Sequence, residues 1–298
     1  MDALRVAVFL LVCVPMLPTA AAPPTATKIV LLGTGTPRPA PERSGPATAI
    51  VVGDRAYLID FGPGVVRRAS AAAAKGIGAL EPTKITVAFV THLHSDHTAG
   101  YPDLLLSPWV LGRTAELNVY GPEGLEEMTR DVLHAWRRDI DIRTNGLEHR
   151  APLAVRAHDV KPGVVYKDDR VTVTAFLVPH GEWPQAFGYR FDTPDRSIVL
   201  SGDTSPSDEV VAQCHGCDVL IHEAYSPNAP KPAMEDWDAY RVKYHTSTAE
   251  LAEIATRAKP GLLILYHQSG RAPDAQMLDE VRRRYPGKVV IAHDLDIY

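Results

Sequence analysis

Short apolar runs recur along this chain, and each closes on a polar or ionisable residue. "KIVLLG" leads into "TGTPRP", "AYLI" ends at Asp60, "ITVAFVT" at His92 and "VTVTAFLVP" at His180. Further on, "SIVLSG" ends at Asp203, "DVLI" at His222-Glu223, "LLILY" at His267 and "VVIA" at His293-Asp294. Runs of this length and β-branched content predict strands buried on one or both faces. "FGYRFDTPDRSIVLSGD" predicts a hairpin that turns at Thr193-Pro194-Asp195.

Helical patterns fall between the strands. "SPSDEVVAQCHG" offers Ser205 as N-cap, Pro206 at the first position and Gly216 as a stop. "STAELAEIATRAKPG" carries a capping box, Ser247 with Glu250, and an apolar stripe of Leu251, Ile254, Ala255 and Ala258. "GLEEMTRDVLHAWRRDI" predicts an amphipathic helix with Met128, Val132, Leu133 and Trp136 facing inward. Hairpins together with crossovers favour an α/β sandwich with mixed sheets over a purely parallel, doubly wound fold. In layered α/β folds, functional groups gather beyond the carboxyl ends of strands, where this chain repeatedly places ionisable residues. "LLGTGTPRP" starts like a dinucleotide fingerprint, but Arg38 stands where the third glycine belongs. It reads instead as a tight turn serving the site.

Composition narrows the class. From Lys28 onward no linker, repeat or low-complexity segment interrupts the chain, so residues 28–298 read as a single domain. A formal charge of −5 leaves no overall basic field for a polyanion. Arg137-Arg138 and Arg282-Arg283-Arg284 read as solvated helix faces. Residues 1–22, "MDALR" followed by "VAVFLLVCVPMLPTA" and then "AA", read as a signal peptide, with Ala20-x-Ala22 as a cleavage site. That apolar run is short and broken by Pro15 and Pro18, so no stable membrane span is expected, and the location is secreted or periplasmic. Cys214 and Cys217 in "CHGC" read first as two small buried residues at a helix end. A local disulfide in an oxidising compartment is the second reading.

The candidate chemistry centres on "VTHLHSDHTAG", Val90 to Gly100. His92 and His94 are two apart and point to one side of an extended segment, while Asp96 and His97 fall on the following turn. One cluster can therefore present two pairs of ligands to neighbouring points. A closed four-ligand structural zinc site is a different pattern. The partners that such pairs need are on offer at strand ends: His180, Asp203 and His267. Two hydrolytic cations so held share a water and lower its pKa, and a carboxylate between them suits Asp203. Imidazole with carboxylate favours zinc, with manganese or iron as alternatives.

"THLHSDHTAG" resembles the H-x-H-x-D-H signature of the metallo-β-lactamase superfamily. Asp60 in "IDFGPG", His180 in "VPHG", Asp203 in "SGDT" and His267 in "LYHQSG" follow in the expected order. "LLGTGTP", "IHEAY" and "YHTSTAE" are further similar to the ribonuclease Z branch and its exported arylsulfatase-like relatives. The resemblance runs from about Lys28 to the C-terminus and implies a four-layer αββα sandwich with a dinuclear site at the strand ends. It implies that His92, His94 and His180 hold one divalent ion and that Asp96, His97 and His267 hold the other, with Asp203 bridging. Asp60 would steady the histidine cluster by hydrogen bonds. Asp96 would double as base, and Glu223 would orient His245 to protonate a leaving oxygen. His222 reads as a packed strand residue, His134, His149, His158 and His215 as ordinary, and His293-Asp294 as equally balanced between a supporting role and none.

The expected reaction is hydrolysis of a phosphodiester or an aryl sulfate ester by a hydroxide held on the metals. The alternatives are 3′ transfer RNA processing, lactone or β-lactam hydrolysis, and a metal-binding scaffold without catalysis. A ribonuclease Z that processes transfer RNA usually carries a long basic arm between the counterparts of His180 and Asp203. Only a short hairpin fits there, which favours a small ester substrate over transfer RNA. Trp109 and Trp183 would either wall a pocket for it or pack in the core. A homodimer is the common assembly of that branch.

Overall fold

Period-two alternation sorts the central strands into two faces, and both are buried. The structure, a computed structural model, describes residues 26–148, 150–231, 236–269 and 272–298. The signal-peptide reading of residues 1–22 and the reading of His149 lie outside the described residues. One sheet runs β1 (Lys28–Gly33), β2 (Ala47–Val52), β3 (Arg55–Ile59), β4 (Val87–Phe89), β5 (Leu117–Gly121) and β6 (Val155–Asp159) in that spatial order. Its first three strands are antiparallel, and β3 to β6 are parallel. The second sheet comprises β7 (Gly163–Lys167), β8 (Thr172–Leu177), β9 (Phe187–Asp192), β10 (Ser197–Leu200), β11 (Val219–Tyr225), β12 (Leu262–Ser269) and β13 (Val289–Ile291). There β7 to β10 are antiparallel and β10 to β13 parallel. The hairpin at Thr193-Pro194-Asp195 is present, closed by Thr193 N–H to the Arg196 carbonyl at 2.9 Å.

Ile29, Leu31, Tyr57 and Phe89 of the first sheet meet Tyr189, Phe191, Ile264 and Tyr266 of the second. Their strand neighbours Val30, Leu32, Leu58 and Ala88 turn outward beneath α1 (Val65–Ala74) and α3 (Tyr101–Val110), which follows the single turn α2 (Ser95–Thr98). Val199, Leu220, Leu263 and Leu265 pack outward under α6 (Asp208–Cys214), α8 (Thr248–Ala258) and α9 (Asp274–Arg282). A one-residue slip would exchange the whole inner row with the row beneath the helices, and each buried aliphatic side chain contributes roughly 1.5–3 kcal/mol, so the register is strongly specified. The mixed-sheet sandwich is the architecture that the pattern favoured, and its αββα layering is the one that the resemblance implied. No described helix is long and apolar enough to cross a membrane.

The capping box of α8 is formed: Ser247 N–H donates to Glu250 at 2.9 Å, and Glu250 N–H to Ser247 at 3.3 Å. Three local expectations are corrected. Helix α6 begins after Ser207, because Ser205 N–H is committed to the Pro179 carbonyl at 2.9 Å and stays in the loop. The segment from Gly124 forms two helices, α4 (Leu125–Ala135) and α5 (Arg137–Asn145), which break at Trp136. Met128, Val132 and Leu133 do pack inward. Helix α5 buries nothing, so Trp136 sits 42% exposed. Cys214 and Cys217, both buried at the end of α6, are joined as a disulfide rather than packed as free thiols.

Asp168 ties the sheets together at their far end. It accepts from Tyr57 of β3 at 2.7 Å, Tyr166 of β7 at 3.1 Å, Arg55 at 3.0 Å, and the amides of Arg170 and Val171. Burial alone would raise its carboxyl, but the Tyr57 hydroxyl and the two amides outweigh burial and hold it below the ordinary carboxylate range. Asp168→Asn should therefore cost about 2 kcal/mol near neutral pH. A carboxyl depressed in the folded state stabilises above the unfolded pKa and loses that contribution as pH falls through the folded one. The gap between wild type and variant in urea unfolding should be constant from about pH 5 to 8 and close below about pH 4; a gap that persists in acid would contradict this account.

Candidate metal centre

The two sheets bring their carboxyl ends to one cleft. Beyond β4, Thr91 and fully buried His92 lead into His94, and the turn of α2 then carries Asp96 and His97. This loop lies on bare backbone: a Cβ at Gly100 would approach the Gly62 carbonyl to 2.3 Å, and one at Gly62 the Asp96 carbonyl to 2.5 Å. From the second sheet, His180 follows β8, Asp203 follows β10, and His267 stands within β12. His267 is the extra residue of a bulge, since Tyr266 pairs with Glu223 and Gln268 with Ala224. Its φ of 48°, like the 60° of Asp60, is uncommon for a residue with a side chain, and such outliers cluster at functional sites.

Three groups of donors result. His92, His94 and His180 form one, and Asp96, His97 and His267 another. Asp203 groups with His92 and His97, one member of each, and within every group the ligand atoms lie within 4.8 Å of one another. His97 Nε2 and Asp203 Oδ1 are buried with no hydrogen-bond partner. Orphaned donors of opposite character, aimed at one volume, fit divalent cations better than a self-satisfied polar core.

The surrounding chain fixes which nitrogen each ring offers. Asp60 accepts from Thr91 N–H at 2.8 Å and bonds His97 Nδ1 at 2.9 Å, leaving His97 Nε2 for the cleft. His180 Nδ1 donates to the Tyr244 carbonyl at 2.8 Å, and His267 Nδ1 to the Gly35 carbonyl at 2.5 Å. Thus the "GTGTP" turn does serve the site, through its backbone. His94 is reversed: its Nδ1 faces His92 Nε2 at 2.9 Å and His180 Nε2 at 3.2 Å, while Trp183 N–H donates to its Nε2 at 2.8 Å. An imidazole pinned at one nitrogen is oriented and pre-set in tautomer at the other.

Burial pushes His92, His94 and His180 down, His180 to about 3, so these three are neutral. Burial acts likewise on His97 and His267, but the Asp203 carboxylate, joined by Asp60 at His97, outweighs it. Both rise, His267 to about 9.

Glu223 and His222 lie inside β11 rather than at its end. Fully buried Glu223 accepts from Thr246 N–H at 3.0 Å and faces His245 Nδ1 at 3.2 Å; His245 Nδ1 lies 3.9 Å from Asp203. Burial disfavours charge on His245, yet the Glu223 carboxylate outweighs it and raises the imidazole pKa. His222 packs as a buried strand residue, bonded to its neighbour's carbonyl. Trp109 is core, its N–H on the Ala151 carbonyl, so of these two tryptophans it is Trp183 that reaches the cleft. His293 is exposed on Asp274, whereas Asp294 accepts from the amides of Thr34 and Ser44, flanking the Gly35 turn. Sequence reading missed the Tyr244 carbonyl, and no signal carries a backbone contact between distant loops. Thr91, directly before His92, was visible but carried no signature.

A model of the Beta-lactamase superfamily domain matches residues 55–268. Ribonuclease Z of Mycobacterium sp. (strain KMS) is 36% identical over 276 residues, covering 90% of this chain and 94% of that protein. Ribonuclease Z of Mycobacterium bovis (strain BCG / Pasteur 1173P2) is 33% identical over 282 residues, covering 90% and 96%. Among solved structures, the metallo-β-lactamase fold protein YhfI from Bacillus subtilis aligns with a TM-score of 0.71 at 18% identity, covering 93% and 99%. Human tRNase Z, short form, aligns at 0.67 and 23%, covering 91% and 98%. A diphosphatase from the PhnP family aligns at 0.64 and 21%, covering 92% and 97%. These structural likenesses show the fold.

Protonated His97 and His267 compete with cations for their own Nε2 atoms. Metal uptake at pH 7 should therefore displace about two protons, seen as a calorimetric heat that scales with buffer ionisation enthalpy; a buffer-independent heat would refute the assignment. An indole N–H only donates, so a cation on His94 Nδ1 would move the imidazole proton to Nε2 and set two donors face to face. Trp183 should then turn away. Tryptophan fluorescence should change during metal titration and stay flat in Trp183→Phe.

Proposed function

The chain belongs to the metallo-β-lactamase superfamily, within its ribonuclease Z-like branch, and on that premise we propose that it hydrolyses a phosphodiester in a small ester substrate. Two divalent ions would serve, zinc by preference and manganese or iron as alternatives. The observation that carries this reading is the buried His245–Glu223 pair set beside Asp203, where the two donor groups meet. In this reading His92, His94 and His180 would hold one ion and Asp96, His97 and His267 the other, with Asp203 shared by both donor groups. When bound, the two ions would supply Lewis acidity that lowers the pKa of the hydrolytic water.

The chain's own groups do the rest. Asp96, slightly open to solvent, would be the base that takes a proton from the hydrolytic water. Glu223 holds His245 by Nδ1 and raises its pKa, so the imidazole keeps a proton to give from Nε2 to a leaving oxygen. Asp60, the Tyr244 carbonyl and the Gly35 carbonyl keep the rings in place. Lactone or β-lactam hydrolysis gives the His245–Glu223 pair no evident task, and a non-catalytic scaffold gives it none. An aryl sulfate shares the tetrahedral geometry; relatives named for phosphorus–oxygen chemistry favour phosphorus over sulfur.

Likeness over nearly the whole chain to mycobacterial ribonuclease Z favours one second reading, 3′ processing of transfer RNA. Against it, residues 181–202 contain the β9–β10 hairpin and no arm, and a −5 chain offers a phosphate-rich polymer little compensation. Export to an oxidising compartment is part of the proposal, supported by the Cys214–Cys217 disulfide. So is a homodimer, which its mass in solution tests.

Zinc-loaded protein should turn over a nitrophenyl phosphodiester faster than nitrophenyl sulfate or precursor transfer RNA, and metal-stripped protein should turn over none of them. Preference for the sulfate or the RNA would install that alternative. His245→Ala should lower kcat about 10²- to 10⁴-fold on a diester with an alkoxide leaving group. The loss should be far smaller with nitrophenolate, which departs without a proton; equal losses would remove His245 from the acid's role.

A further inference from the structure

Helix α7 (Trp237–Tyr244) leads directly into His245 and carries an aromatic row. Trp237, Tyr240 and Tyr244, spaced three and four apart, share one helix face. Trp237 stacks on Tyr240 with centroids 5.6 Å apart at 18°, and Tyr240 on Tyr244 at 4.5 Å and 19°. The row's inner end is at the metal centre: the Tyr244 ring lies 5.1 Å from that of His180, and Tyr240 lies 5.8 Å from His245. All three rings are only half-buried, unlike core Tyr57, Tyr101, Tyr189 and Tyr266.

The row is anchored at its inner end. The Tyr244 carbonyl accepts from His180 Nδ1, and the Tyr244 ring fills the space where Gly181 has no side chain; a Cβ there would meet it at 2.1 Å. Gly181 also has a φ of 57°, so glycine is required twice over. The cations of this segment are spent on neighbours: Arg241 pairs with Asp238 at 2.7 Å, Lys231 also pairs with Asp238, and Lys243 pairs with Glu182. A polyanion gains nothing from such a surface, whereas a flat apolar ring gains edge and face contacts.

We propose that this face of α7 is the recognition wall for the leaving group, and that the leaving group is an aryl ring. The proposal rests on the reading of His245 as the acid at the leaving oxygen, because that places the departing group against Tyr240. Trp237, Tyr240 and Tyr244 are then specificity-determining residues, and a ring-bearing diester is preferred over a saturated one of equal size.

The test uses two inert diester mimics in which a CH₂ replaces the leaving oxygen, the monomethyl esters of benzylphosphonate and of cyclohexylmethylphosphonate. Their binding to zinc-loaded protein is measured by calorimetry, with diester turnover and metal content measured on the same samples. The benzyl compound should bind about five- to tenfold tighter. Tyr240→Leu and Trp237→Leu should bring that ratio towards one, Tyr240→Phe should keep it, and Val242→Ala, on an exposed position of the same helix, should match wild type. If Tyr240→Leu does not fold, Trp237→Leu at the outer end decides. A ratio near one in a wild type that hydrolyses diesters overturns the wall alone, as does a ratio that survives both leucine variants. Tighter benzyl binding that depends on Tyr240, in protein that turns over no ester, supports the wall and removes the hydrolase reading. Binding of neither mimic overturns the wall.

Discussion

Asp203 is a carboxylate with almost no access to water, and burying such a charge costs several kcal/mol unless cations or hydrogen bonds compensate. His97 and His267 hold it well below the ordinary carboxylate range despite burial, and it in turn raises both of them. One charge in this position therefore sets the protonation of rings from both sheets. The rest of the cleft answers the same demand. Asp60 takes the far nitrogen of His97, and Glu223 faces Nδ1 of His245. Alternating buried carboxylate and imidazole lets a site of this charge density exist inside an apolar sandwich.

That arrangement needs backbone that cannot give way. His180 is steered by a carbonyl from the end of α7, and His267 by a carbonyl from the turn after β1. The turn after β1 is itself pinned by Asp294, near the chain's C-terminus, which accepts from Thr34 and Ser44. Residues from opposite ends of the sequence thus fix the direction of single ring nitrogens. The disposition of His94 is the exception: its outer nitrogen is met by Trp183, a side chain that can rotate. Rigid support on one side and a movable indole on the other make the Trp183 side the adaptable one.

The chain carried much of this on its surface as text. Strand ends at Asp60, His92, His180 and Asp203 were legible because runs of β-branched residues closing on an ionisable one have few other uses. The Ser247–Glu250 box was legible for a similar reason, since capping is local chemistry between residues three apart. Ser205, Trp136 and the cysteine pair were misjudged where the outcome depended on something distant or conformational. The Pro179 carbonyl claimed Ser205, the helix over β6 ran out before Trp136, and chain geometry brought Cys214 and Cys217 within bonding reach.

By itself, then, the sequence determined a mixed-sheet α/β sandwich, the identity of the ionisable cluster and the short motifs that carry the resemblance to the branch. Those are properties of residue type and short-range spacing. The tertiary structure alone decided which nitrogen each histidine presents, that the His267 bulge aims its ring at Asp203, and that an aromatic helix face ends against His180 and His245. These depend on carbonyls and rings supplied from tens to hundreds of residues away. Contacts of that kind are set by how two twisted sheets close on each other, and no local pattern encodes them.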